Sequence, residues 1–262
     1  MPGTARDLVR QAVNVLAVLA VIAVNALANA LPLYGRTTGE ISDGFPILFV
    51  PAGYVFGIWG LIYLGLVGFA LYQARPRERA NLRLRRVGYL FALSCAANIA
   101  WLFAWHALRL PLSLAVMLAL LALLILIYLR LGSGREEVPR AERLLVRLPF
   151  SLYLGWITVA TVANASALLY SLGWDGWGLS DATWTILMLA AATAIGTLVL
   201  VTRRDLAFNL VLVWAFVGIF VAQQGHPPVA GAALAAARVV LVLVLLSAFR
   251  TPDAPGGALQ GG

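Results

Sequence analysis

Eight apolar runs, each long enough to cross a bilayer as a helix, follow one another along this chain and leave it few other ways to fold. They extend approximately over residues 12–31, 52–73, 87–107, 112–129, 150–170, 183–201, 206–223 and 229–249. Hydrocarbon offers no hydrogen bonds, so only helices and closed barrels can span it. The ten-residue alternation of an outer-membrane barrel is not seen, whereas runs that match the roughly 30 Å apolar layer as helices are. With 62% hydrophobic and 11% charged residues, the chain lies far from soluble domains, in which about a quarter of residues are charged. The expected class is an all-α, multi-pass integral membrane protein of about eight transmembrane helices.

The links between the runs supply an orientation. All 19 basic residues are Arg, and sixteen fall on one side of the alternating topology: Arg6 and Arg10, the six from Arg75 to Arg86, the five from Arg130 to Arg147, Arg203 with Arg204, and Arg250. Arg36 and Arg109 face the other way, and Arg238 lies inside a run. The positive-inside rule then places both termini in the cytoplasm, here of a bacterial cell. The net charge of +8 reflects topology, and no nucleic-acid partner is expected. Arg6 and Arg10, an apolar run and Ala26 to Ala30 also suit a cleavable signal peptide, but the run's length favours a retained span. Cys95, the single cysteine, reads as a small buried side chain.

No soluble domain fits between the runs. The first link, PLYGRTTGEISDGFPILFVP, mixes turn residues, Glu40 and Asp43 with Phe45, Ile47, Leu48 and Phe49. It could fold over the mouth of the bundle, or connect the helices with its aromatics in the membrane interface. The Pro/Gly-rich tail 251–262 reads as disordered. No internal repeat is evident, which weighs against a transporter built from inverted repeats.

Several runs carry polar and aromatic residues on one helical stripe. Trp156, Ala160 and Asn164 recur every four residues. Asn14, Val18, Val21, Asn25 and Asn29 in the first run, Phe56, Trp59 and Tyr63 in the second, and Ser94, Asn98, Trp101 and Trp105 in the third follow at offsets of three and four, which also share a helical face. An amide in hydrocarbon needs a partner, so such stripes face protein or a ligand. A lining of rings with a few amides suits a flat, apolar ligand with polar edges. Each residue alone could instead join helices, since buried Asn and Ser serve as interhelical glue and small residues allow close approach. Trp174, Trp177 and Trp184 read as interface anchors. His106 and His226 are too isolated to form a metal pair.

At motif level the chain resembles the tryptophan-rich sensory protein family, TspO/MBR, also called the translocator protein or peripheral benzodiazepine receptor family. Pro51 to Tyr63, PAGYVFGIWGLIY, is similar to the second-helix motif. Asn98-Ile-Ala-Trp101 is similar to the third-helix Asn-x-x-Trp, and Tyr153-Leu-Gly-Trp156 through Ala160 to Asn164 to the fifth-helix motif. The Trp-Tyr and Lys-Pro signature of the family's first loop is absent, the spacing from Phe-Gly to Trp is one residue short, and Ala165 stands where an aromatic is often found. The resemblance implies a five-helix bundle over residues 1–171, leaving 172–250 as a three-helix extension and 251–262 as tail.

The resemblance also implies a pocket capped by the first loop that takes tetrapyrroles such as haem precursors, or sterols in some relatives. No resident cofactor or metal is expected. The candidate ligand-binding residues are Phe56, Trp59, Tyr63, Asn98, Trp101, Tyr153, Trp156, Ala160 and Asn164. Trp156 matches the position associated in some relatives with light-dependent porphyrin breakdown, but no acid-base pair, nucleophile or metal cluster supports enzyme chemistry independently. Arg238, a cation mid-run with no intramembrane carboxylate to pair with, is a candidate anion contact, or snorkels to the interface. Three functions follow as expectations: a receptor or carrier with a sensory or transport role, a secondary transporter using Arg238, and a porphyrin-degrading enzyme. The expected partners are the bilayer and a hydrophobic small molecule, with a second copy of the chain as a further candidate.

Overall fold

The structure, a computed structural model, describes residues 4–31 and 33–249; the expected tail 251–262 and Arg250 lie outside the described residues. Among the described residues there is no strand. Eight long helices carry the fold: α1 Ala5–Ala30, α2 Ile58–Gln73, α3 Leu90–His106, α4 Leu110–Arg130, α5 Leu148–Ser171, α6 Asp181–Arg203, α7 Leu206–Ala222 and α8 Pro227–Phe249. Six of the eight, with α2 counted from its 3₁₀ lead-in and α5 from the turns before it, are long and apolar enough to cross a bilayer; α3 and α7 are shorter apolar helices of 17 residues each. Their outward faces are apolar, as with Leu64, Leu71, Leu198 and Val201, which suits a lipid surround rather than water.

The helix ends follow from local chemistry. The start of α1 lies seven residues before the expected one. There Thr4 and Asp7 form a reciprocal capping box, and Arg85 binds the Asp7 carboxylate at 2.6 Å, so a polar turn is held in helix. The second run begins as a 3₁₀ segment, Gly53–Gly57, before α2. The third run breaks at Gly88, whose φ of 56° separates the short helix Leu82–Val87 from α3. Ser180 and Asp205 cap α6 and α7 through their side chains. A π-helical turn, Arg143–Arg147, leads into α5.

The first five helices close a ring in the order α1, α2, α5, α4, α3, each packed against the next. Within the ring, Gln11 of α1 and Gln73 of α2 each donate to the other's backbone carbonyl, and Asn14 donates to Gly88 O at 3.3 Å. The helices α6, α7 and α8 pack on one another, and α7 docks on α5. One end of the bundle gathers the arginine-rich links. Arg83 binds Glu142 at 3.0 Å and Arg130 donates to Arg86 O at 2.8 Å, which together with Asp7–Arg85 tie the first turn of α1, the link 74–89, the end of α4 and the link 131–147 into one face. The first link lies at the opposite end.

Candidate functional site

The four-residue spacing on α5 puts Trp156, Ala160 and Asn164 on one wall of a cavity inside the ring. The opposing wall begins at Phe56, delivered by the 3₁₀ segment, and continues with Trp59 on α2. Trp101 and Trp105 on α3 close a third side. This lobe measures about 520 Å³ including its mouth. A second lobe of about 620 Å³ adjoins it, sharing Thr38, Phe56, Trp59 and Trp101 and adding Tyr63, Asn25 and Asn29. The walls are edge-to-face aromatics. Trp156 stands at 84° to both Phe56 and Trp59, at 5.7 and 6.3 Å between ring centres, while Trp101 stacks on Trp105 and Trp59 on Tyr63.

The first link does fold over the mouth. Thr37 caps a short helix, Thr38–Asp43, by accepting from Glu40 N at 3.3 Å, and Glu40 accepts from Thr37 N at 2.7 Å. Those Thr37 bonds hold the exposed Glu40 carboxyl below the usual carboxylate range. Thr38 and Ser42 face the cavity, and Trp105 fastens the cap by donating Nε1–H to Thr38 O at 3.3 Å. Phe45 packs between Trp105 and Tyr170, so the aromatic part of the link rests on the bundle.

Four buried polar atoms around the two lobes have no hydrogen-bond partner: the Nε1 donors of Trp101 and Trp156, the Tyr63 hydroxyl, and Asn164 Oδ1. The Asn164 amide is oriented by donating to Ser113 Oγ at 2.9 Å. Among the described residues, neither lobe is lined by Asp, Glu, Arg, His or Cys, so the cavity is electrically neutral. It can hold a flat apolar molecule by ring contacts and offers donors to acceptor groups on its edge. It brings together no acid-base pair or nucleophile, and no group of three or more His, Cys, Asp or Glu could hold a metal among the described residues.

Asn98 and Tyr153 do not reach either lobe. Both are fully buried beneath them, where Asn25 Nδ2 donates to Asn98 Oδ1 and Asn98 Nδ2 donates to the Tyr153 hydroxyl, each at 2.9 Å. This chain joins α1, α3 and α5 and supports Trp59, whose ring lies 5.8 Å from that of Tyr153. Asn98→Ala leaves the Tyr153 oxygen and one Asn25 N–H without partners, and is expected to cost about 2 kcal/mol, read as a lower unfolding midpoint in detergent titration. Arg238 is not at the site. It stands on the exposed face of α8, lines neither lobe, and forms no ion pair among the described residues.

Lining residues outside the expected set include Asn25, Asn29, Thr38, Ser42, Trp105 and Ala163. Asn25, Asn29 and Trp105 carry a signal in the sequence, since they continue stripes on α1 and α3. Thr38 and Ser42 carry none beyond the mixed composition of the link. The Trp174, Trp177 and Trp184 rings pack on one another around the start of α6 and line neither lobe.

Neither the curated proteins nor the solved structures contain a match to the chain. A family model described as TSPO-like protein matches residues 11–246 of the 262, a stretch that contains every lining residue of both lobes and runs on through most of α8. With the ring of five helices, the aromatic cavity and this match in hand, the chain belongs to the TspO/MBR (TSPO-like) family of membrane proteins.

Proposed function

We propose that this protein is a membrane receptor or carrier that binds a tetrapyrrole-like molecule in the capped cavity, in a sensory or transport role, without turning it over. The family is associated with porphyrin- and sterol-related sensing or transport. The observation that carries the reading is the pairing of aromatic walls with unpartnered donors on Trp101, Trp156 and Tyr63. A porphyrin offers a flat ring for the former and carboxylate oxygens for the latter, whereas a sterol offers a single hydroxyl. We place the arginine-rich face in the cytoplasm, which opens the capped mouth to the other side. We also propose the division into a ligand-holding bundle over 1–171 and three further helices over 172–250.

Titration of the purified protein with a porphyrin, followed by quenching of Trp fluorescence, tests the reading. Saturable binding is expected, with porphyrin recovered unchanged. Ala160→Leu, which extends a side chain from the cavity wall, should weaken it about fivefold. Unsaturable quenching, or affinity indifferent to Ala160→Leu, would remove this cavity as the site; time-dependent loss of porphyrin would make the protein an enzyme.

A further inference from the structure

We propose that the arginine-rich face carries a second binding site, for a phosphate group, in a cleft between the link after α4, the start of α5 and the α6–α7 turn. The cleft is open to solvent, measures about 1,000 Å³ including its mouth, and is lined by five arginines, Arg135, Arg143, Arg147, Arg203 and Arg204, against three carboxylates. Two of those carboxylates already have partners. Asp205 caps α7 by accepting from Phe208 N at 3.0 Å and also accepts from the Tyr128 hydroxyl at 2.8 Å and Ser151 Oγ at 2.6 Å. Glu136 lies between Arg83 and Arg147, at 3.7 and 3.9 Å. The third, Glu137, is exposed. Arg135, Arg143, Arg203 and Arg204 have no carboxylate within 4 Å among the described residues, so the cleft holds an excess of unneutralised cations.

The cleft is built rather than incidental. Arg147, with 9% of its side chain exposed, donates to Glu136 O and to Leu131 O at 3.0 Å, which fixes the backbone of the link. Gly134 lies so close to the Arg203 carbonyl that a Cβ there would fall 1.8 Å from its oxygen, so link and α6 end are locked together. Arg204 is held at a φ of 51°, a left-handed conformation that costs free energy for a residue with a side chain. Two buried polar atoms of the wall, Arg147 Nε and Ser133 Oγ, have no partner. Guanidinium forks pair with phosphate oxygens two at a time, and basic pockets between transmembrane helices at headgroup depth are suited to phosphate-bearing lipids. A phospholipid headgroup and a free phosphate compound present the same chemistry.

Two probes separate these sources on the full chain. The first is native mass spectrometry of protein released from vesicles of equal parts phosphatidylglycerol and phosphatidylcholine. The second is thermal unfolding in phosphatidylcholine nanodiscs with inorganic phosphate added. Preferential retention of phosphatidylglycerol assigns the site to a lipid, and a phosphate-dependent rise in Tm assigns it to a free phosphate. In either case Arg135→Gln with Arg143→Gln should weaken the response at least fivefold, while Arg6→Gln with Arg77→Gln, an equal charge change outside the cleft, should leave it intact. The proposal is overturned if neither probe acts on the unmodified protein, or if both double variants weaken the response alike.

Discussion

A protein carrying Trp156→Ala and Asn164→Ala together is expected to bind porphyrin roughly a hundredfold more weakly. The two residues share one wall of the same aromatic lobe, and each leaves a polar atom there without a partner. Removing the indole withdraws a large ring, worth about 2 kcal/mol of apolar contact to a flat ligand. Removing the amide withdraws one hydrogen-bonding group, worth about 1 kcal/mol. Together they amount to about 3 kcal/mol, or two decades of affinity. Trp156 also packs against Phe56 and Trp59, so truncation loosens the wall as well as the contact. Trp156→Phe separates these effects. It keeps a ring against Phe56 while losing the N–H, and should cost no more than about tenfold. Fluorescence titration of the remaining Trp residues measures all three proteins, and equal affinities would place the ligand elsewhere.

The parts of this site that were legible in the sequence are those that depend on helix geometry alone. Trp156, Ala160 and Asn164 share a wall because side chains four apart on a helix point the same way, and the same holds for Trp101 with Trp105. What could not be read depends on contacts between elements. Asn98 belongs to its stripe, yet its amide is consumed by Asn25 and Tyr153 below the cavity, and the spacing does not say whether an amide meets a ligand or another helix. The cap hangs on a bond from Trp105 to a backbone carbonyl, which any residue at position 38 could supply. Arg238 has no carboxylate in its helix or near it, and small neighbours alone could not show whether it pointed inward; it points out. The seven-residue extension of α1 was hidden because apolar runs mark the membrane, while Thr4 and Asp7 mark the helix.

Gly218→Val is expected to lower porphyrin affinity at least tenfold although residue 218 lines neither lobe. Gly218 lies on α7, where its carbonyl accepts from Ala52 N at 3.1 Å. One turn away, Trp214 Nε1 donates to Val55 O at 3.1 Å, and its ring meets Tyr54 edge-on. These contacts clamp the segment 51–57, which places Phe56 in both lobes and sets the start of α2 that carries Trp59. A Cβ at position 218 would fall 2.3 Å from Val55 Cγ2 and 2.9 Å from Pro51 Cβ. Val55 is fully buried, so the added side chain must push the segment away from α7 and toward the cavity, at a cost of about 1–3 kcal/mol. This gives the last three helices a role in the proposed function: α7 braces one wall of the ligand site from outside the ring. The double variant Gly218→Val with Val55→Ala decides between bracing and general unfolding. It removes the methyl groups nearest the clash, and should recover most of the lost affinity, a coupling that a globally unfolded protein would not display. Full affinity in Gly218→Val alone, or no recovery in the double variant, would leave α7 with a purely structural part in holding the bundle.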